Sequence, residues 1–354
     1  MKQKVGVLLT LILFASFSMP LTSISVELET LTVDQALKWA IDASAELRNL
    51  ESNITNNEKK LDQIKEQFYV EQDYATVLDL AVQMMQLEQQ ESLSNGNIGV
   101  AKESLRISVM NLFASIIDAQ QALALTDQNL SIMERELLIS KVKHSLGYIS
   151  KVEYTTQENN MKKSKSSRES QNLAITNAFV SLNKLMGTSL SKQYRLSLDF
   201  TYEPIKNGLQ AYVSAGVLAD TSVASQQVNV EVAEYELELN DPFLHGEEAE
   251  EDKEQSVTNA SRDLYDTERT AEQKVVNAYN KIMDQEISYN NARLELDDLL
   301  LQKPVKEKQY ELGKLTKLEL DKFYYKIAQQ EESIRKLTIS HAIAIQQIDN
   351  PETL

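Results

Sequence analysis

Ser145-Leu146-Gly147-Tyr148-Ile149-Ser150-Lys151-Val152-Glu153-Tyr154 and Glu311-Leu312-Gly313-Lys314-Leu315-Thr316-Lys317-Leu318-Glu319-Leu320 are two versions of one stretch. Each stops a long heptad-patterned segment at a glycine and starts another at a hydroxyl residue. Glycine relieves the left-handed position past a helix end, and Ser or Thr caps the next helix, so each stretch reads as the tip of a helical hairpin.

Working outward from the first tip, the preceding segment carries the clearest seam in the chain. Leu105, Val109, Leu112, Ile116, Ala119, Leu123, Leu130, Met133 and Leu137 step by threes and fours, with Thr126 the polar member. That 3.5-residue spacing belongs to helices packed along their length. Taken from Ile98 to Leu146, the segment would be roughly 73 Å long at about 1.5 Å per residue, and a rod of that length needs a partner beside it. Ser94-Asn95-Gly96-Asn97 is the strongest turn signal upstream, so a reversal is expected there. An earlier arm shows the same spacing at Leu47, Leu50, Ile54, Leu61, Ile64 and Phe68. It is preceded by Thr32 and Gln35, which form a capping box. Beyond the tip, a returning helix runs to about Met186, followed by alternating Tyr194, Leu196, Leu198, Phe200 and Tyr202, a short extended link.

The second half repeats this order. At an offset of 176, Leu47, Leu50, Ile54 and Leu61 fall on Val223, Gln226, Val230 and Leu237. At an offset of 166, Leu105, Val109, Leu112, Ile116, Leu130 and Met133 fall on Ala271, Val275, Ala278, Ile282, Leu296 and Leu299, and Gly147 falls on Gly313. The difference places an indel in the connection between the first two arms of each copy, where connections tolerate change. Pro304 late in the second long arm predicts a kink or a helix break.

Composition agrees with long helices: among 354 residues there are 9 Gly, 5 Pro and 6% aromatics. A quarter of the residues are charged, which suits slender rods better than a thick core. The net charge of −17 makes nucleic acid an unsuitable partner. Without cysteine, disulfides and thiolate metal sites are excluded. Lys2 and Lys4 precede an apolar run from Val5 to Phe17 that is too short to span a bilayer, which reads as a signal peptide over residues 1–25. The cut is expected after Ser25, with Ser16-Phe17-Ser18 a competing site.

Chemistry-bearing motifs are missing. His144, His245 and His341 are far apart, and there is no P-loop, dinucleotide fingerprint, zinc spacing or nucleophile elbow. An enzyme, a cofactor and a metal site are therefore not expected. His245 beside Glu247, Glu248, Glu250 and Glu251 reads as a solvated loop rather than a cation site.

The signal segment, the opening LTVDQALKWAIDASAELRNLESNI, the two copies of helix, long helix, glycine tip and returning helix, and the tips LGYISKVEY and LGKLTKLEL together resemble the TolC family of outer-membrane efflux proteins. The resemblance covers residues 31–350, although Ala45-Glu46-Leu47 lacks the proline of the family's opening signature. It implies a homotrimeric helical tunnel for the efflux of small molecules, in the periplasm and outer membrane or on the extracytoplasmic face of an envelope without one. It also implies tips that meet a periplasmic adaptor and an inner-membrane pump. The tip positions carried over are Gly147, Ser150 and Lys151, with Gly313, Thr316 and Lys317. Glu319, with Glu153 its counterpart, stands where the family often narrows the tunnel mouth.

One departure is large. A barrel strand needs about 9 to 11 residues of alternating character, and neither Tyr69 to Asn97 nor Asn240 to Gln255 offers a pair of them. The expected fold is all-α, with long antiparallel coiled-coil hairpins in two tandem repeats at 31–200 and 207–354. By the resemblance it is an α-barrel protomer without a transmembrane β-barrel. A non-transporting extracytoplasmic coiled-coil scaffold or adaptor is the other reading the sequence supports.

Overall fold

The computed structural model describes residues 28–198, 200–240 and 247–354. The expected signal peptide and His245 lie outside them. The described chain is helical almost throughout: α1 (Val33–Ala43), α2 (Ala45–Val70), α3 (Tyr74–Ser145), α4 (Lys151–Leu185), α5 (Leu209–Ala219), α6 (Thr221–Glu238), α7 (Glu247–Glu311), α8 (Lys317–Asp349) and a short 3-10 turn at Pro351–Thr353. Among the described residues the only strands are β1 (Thr30–Thr32) and β2 (Arg195–Ser197), a parallel pair with Leu31 opposite Leu196.

Two helices set the length. α3 has 72 residues and spans about 108 Å, and α7 has 65 and spans about 98 Å. The shorter helices lie antiparallel along them. Lys65 of α2 meets Glu88 of α3, whereas Lys165 and Arg168 of α4 meet Glu134 and Asp127 of α3, further along the same rod. α6 and α8 flank α7 in the same way, through Lys253 to Glu236 and Tyr324 to Glu307. Contacts of α3 with α6 and α8 bring the two halves side by side, so the protein is a single layer of rods. Its order is α2, α3, α6, α7 at one end and α4, α3, α8, α7 at the other.

That order explains why α3 carries two apolar stripes. Val109, Phe113 and Ile116 are fully buried against Leu31, Ala36, Ala40, Phe179, Leu182 and Tyr194. Ile107 and Met110, on the opposite flank, pack against Ile339 and Ile343 of α8. A rod with a neighbour on each side needs both. In α7 the expected seam is buried at Ala271, Val275 and Ile282. The largest apolar cluster lies at mid-length, where α1 and the β1–β2 pair cross the rods. Within the alternating link, Arg195–Ser197 thus forms a strand beside Thr30–Thr32 rather than a free connector.

Two expectations are corrected. The reversal is not at Ser94-Asn95-Gly96-Asn97: α3 runs through it, and the turn is Glu71-Gln72-Asp73. Here Glu71 Oε1 accepts the N–H groups of Gln72 and Asp73 at 2.8 and 3.0 Å, and Asp73 caps α3 by accepting from Thr76 N–H at 3.0 Å. A glycine inside a helix costs only about 1 kcal/mol, less than continued packing returns, and neither Gly96 nor Gly99 has positive φ. Pro304 does not break α7 either. It sits on an exposed flank with Leu301 and Val305, where water can take the carbonyl that proline leaves without a donor.

The helix boundaries keep the spacing read in the sequence. α1 and α5 start 176 residues apart, as do α2 and α6, while α4 and α8 start 166 apart. The ten-residue difference between the copies does not come from a shorter connection in the second half: α6 has 18 residues against 26 in α2, and α7 has 65 against 72 in α3. The turn Glu71–Asp73 is too short for two membrane-spanning strands of about 9 to 11 residues each.

Candidate functional site

The two tips are built from the same parts. At the end of α3 the chain turns left-handed at Gly147, φ 78°, and two hydrogen bonds close the helix: Gly147 N–H to His144 C=O at 3.0 Å and Tyr148 N–H to Lys143 C=O at 2.8 Å. At the end of α7, Gly313 has φ 67°, with Gly313 N–H to Tyr310 C=O at 2.9 Å and Lys314 N–H to Gln309 C=O at 2.8 Å. This is the Schellman arrangement, which consumes the last helical carbonyls and requires a residue without a Cβ penalty at positive φ.

Three residues later the next helix is capped. Ser150 Oγ accepts from Glu153 N–H at 3.1 Å, and Glu153 Oε2 accepts from Ser150 N–H at 2.7 Å. Thr316 Oγ1 accepts from Glu319 N–H at 3.2 Å, and Glu319 Oε2 accepts from Thr316 N–H at 2.8 Å. These are reciprocal capping boxes. Glu153 and Glu319 therefore spend their carboxylates on their own helix starts. The [ST]-x-x-E spacing in Ser150-Lys151-Val152-Glu153 and Thr316-Lys317-Leu318-Glu319 is the sequence signal for this role.

Hydrogen bonding to the Ser150 backbone and hydroxyl holds the Glu153 carboxyl below its ordinary value of 4.5, and the Thr316 backbone and hydroxyl do the same for Glu319. Both folded values are depressed, so the capping contribution is complete above about pH 4.5 and is lost as pH falls through the lowered value. Amide exchange at residues 150–153 and 316–319, corrected for intrinsic rates, should accelerate on acidification below pH 4.5. Glu153→Gln and Glu319→Gln should flatten that dependence. Protection that is independent of pH in the unsubstituted chain would show that the boxes do not hold the tips.

The tips lie beside one another. Arg135 on α3 pairs with Asp321 on α8, and Glu136 pairs with Lys322, so positions just behind each tip face each other across the two hairpins. Lys151 and Lys317 are both exposed. Lys151 Nζ lies 5.2 Å from the centre of the Tyr154 ring, and Lys317 Nζ lies 2.9 Å from Asp321 and 5.9 Å from the Tyr310 ring. His144 stacks on Tyr154 with centroids 5.3 Å apart. Leu146, Tyr148, Val152 and Leu312 project from the turns, Tyr148 with 77% of its surface exposed. The surface at the tips mixes charged and apolar side chains.

His341 is buried at mid-length, its Nε2 3.2 Å from Glu286, whose Oε1 also accepts Ile205 N–H at 2.6 Å. Tyr202 lies between His341 and a stacked Tyr289. This group fastens the inter-half link to α7 and α8, and no spacing in the sequence announced it. Among the described residues no three His, Asp or Glu side chains gather into a group that could hold a metal ion.

No protein-family model and no curated protein sequence matches the chain. Solved structures do match. A membrane protein from Pseudomonas aeruginosa is 13% identical, with a TM-score of 0.61 over 90% of this chain and 90% of that one. The CmeC outer membrane channel of Campylobacter jejuni is 9% identical, with a TM-score of 0.61 over 91% of this chain and 85% of that one. The outer membrane protein VceC of Vibrio cholerae is 9% identical, with a TM-score of 0.61 over 91% of this chain and 97% of that one. At these identities the likeness is one of backbone path.

Proposed function

We propose, from the TolC-like fold that this chain has, that it is a conduit subunit of an envelope efflux system. The observation that carries the reading is the pair of tips, two identical Schellman turns and two identical capping boxes placed side by side at one end of a single layer of rods. On this reading residues 31–200 and 207–354 are tandem copies, and three chains close the layer into a tunnel through their unpaired flanks. Exposed Leu173 on α4 and Tyr265, Ile287 and Leu294 on α7 supply apolar surface for that closure. The tips then meet an adaptor, with Lys151 and Lys317 as contact residues and Gly147, Ser150, Gly313 and Thr316 as their supports. The fold supports a place in the envelope, and small molecules are the cargo of such a conduit. Glu153 and Glu319 act in this assembly as caps that fix the mouth's shape.

Reversing both lysines tests the reading. Lys151→Glu with Lys317→Glu should leave helix content and oligomer mass unchanged and reduce efflux of fluorescent dyes from cells that depend on this chain by roughly tenfold or more, since an interfacial charge reversal costs several kcal/mol. Gly147→Ile with Gly313→Ile should damage the hairpins themselves and lower helical stability. Undiminished efflux after the lysine reversal would remove the tips from the mechanism.

A non-transporting scaffold is the second reading, and the blunt end favours it. Among the described residues the only strands are the three-residue β1 and β2, and the turn Glu71–Asp73 is too short to hold a strand that crosses an outer membrane. Dye retention that is the same with and without the chain, together with loss of envelope integrity on its removal, is the outcome that reading requires.

A further inference from the structure

The chain is acidic overall, yet its charge is unevenly placed along its length. From 137 to 153 there are three lysines and one carboxylate, the capping Glu153, and the equivalent window from 303 to 319 has five lysines and three glutamates, so each window carries a net charge of +2 in a chain of −17. At the opposite end, Glu66, Glu71, Asp73 and Asp79 surround the α2–α3 turn, and Glu250, Glu251, Asp252 and Glu254 open α7 beside it. Among the described residues Lys141, Lys143, Lys151 and Lys314 are exposed and form no ion pair. Between these lysines stand Leu146, Tyr148 and Leu312, exposed by 65%, 77% and 59%.

Lysines around a few protruding apolar side chains, one of them a tyrosine, form the pattern that attaches a protein to a charged lipid surface. The ammonium groups are drawn to anionic headgroups, and the apolar points enter the headgroup layer, where tyrosine is favoured. The apolar residues here stand at the apices of two convex turns rather than in a groove, which fits a soft, shallow layer better than a shaped protein pocket. The acidic end is repelled by the same surface, which gives the rod a direction. We propose that the two tips seat the molecule directly on an anionic phospholipid surface, with Lys141, Lys143 and Lys314 on lipid phosphates and Leu146, Tyr148 and Leu312 in the headgroup region. This contact goes beyond adaptor docking and does not depend on it. It would hold the open end of the rods at the membrane in which a pump is found.

The test is vesicle flotation of the full chain with phosphatidylcholine and with equimolar phosphatidylcholine and phosphatidylglycerol. Retention should be several-fold higher on the anionic vesicles and should fall as salt is raised. Lys141→Gln, Lys143→Gln and Lys314→Gln lie outside the adaptor-contact pair Lys151 and Lys317. Each should lower the partition coefficient by on the order of five-fold, with the far-ultraviolet circular dichroism unchanged. Leu146→Ser with Tyr148→Ser should weaken retention further. Because every variant keeps the apolar N-terminal run, differences between chains report the tips alone. Equal retention on both vesicle types, or a triple lysine variant that floats like the parent, would overturn the proposal. So would absence of vesicle binding in a chain whose same lysines retain an acidic protein. Dye efflux by the triple variant reports on the conduit reading separately.

Discussion

Phe113→Ala lowers the stability of the folded chain by about 3–5 kcal/mol, the range for removing a fully buried aromatic ring. Phe113 has no exposed surface and sits in the mid-length cluster where α3 meets α1, α4 and the β1–β2 pair. A single layer of rods has few such places, so the cavity cannot be closed by shifting a second core over it. The effect should therefore reach every element that crosses there: Leu31 before α1, Phe179 and Leu182 on α4, and Tyr194 before β2. The chain's single tryptophan is well placed to report it, because Trp39 packs against this cluster with its ring 6.3 Å from that of Tyr194. Urea titration followed by Trp39 fluorescence should show a lower midpoint with the same slope. A loss under about 1 kcal/mol would mean that the mid-length cluster is not the core, against the range expected for buried aromatics.

Gly187→Ala is the other large effect, at about 2–5 kcal/mol, and it arises from two separate causes. Gly187 ends α4 at φ 64°, where a side chain costs about 1–2 kcal/mol. A Cβ there would also stand 2.8 Å from Ala43 Cβ, at the end of α1, and overpacking of that kind costs about 1–3 kcal/mol. The turn has no slack to move away. Asn183, fully buried, donates from Nδ2 to Leu190 C=O at 3.3 Å and Lys192 C=O at 2.7 Å, and its Oδ1 accepts from Thr188 Oγ1 at 3.1 Å. The two causes are separable in one cycle. Adding Ala43→Gly to Gly187→Ala should recover the clash and leave the backbone cost, whereas at Gly147, where a Cβ meets nothing within 4 Å, alanine should show the backbone cost alone. If Ala43→Gly restores nothing, α1 does not approach the end of α4 as closely as the structure places it.

The same contrast between local and distant causes explains how much could be read from the sequence. The tips were legible because their code is local: a glycine at a left-handed position and a hydroxyl residue three places later act through the nearest turn of backbone. The seams were legible because their period is a property of one helix. The stripe at Ile107 and Met110 was not, since it exists only because α8 lies on the far side of α3, a neighbour more than two hundred residues away in sequence. The Glu71–Asp73 turn is masked in the sequence by the stronger turn signal at Gly96, because a glycine inside a well-packed helix costs little while an aspartate cap looks like any surface carboxylate. His341 and Glu286, 55 residues apart, meet only after α7 and α8 have folded together. Glu153 and Glu319, which the resemblance puts at the tunnel mouth, make the hydrogen bonds of helix starts.

In the proposed assembly, slender rods with unpaired flanks close around an axis, their tips together at one end. Light scattering coupled to size exclusion, with small-angle X-ray scattering on the same peak, measures it most directly. The expected particle has three times the protomer mass, which is 40.1 kDa for the full 354-residue chain, and is elongated along the rods. A species of protomer mass that persists as concentration rises, or a compact scattering profile at any mass, would contradict it.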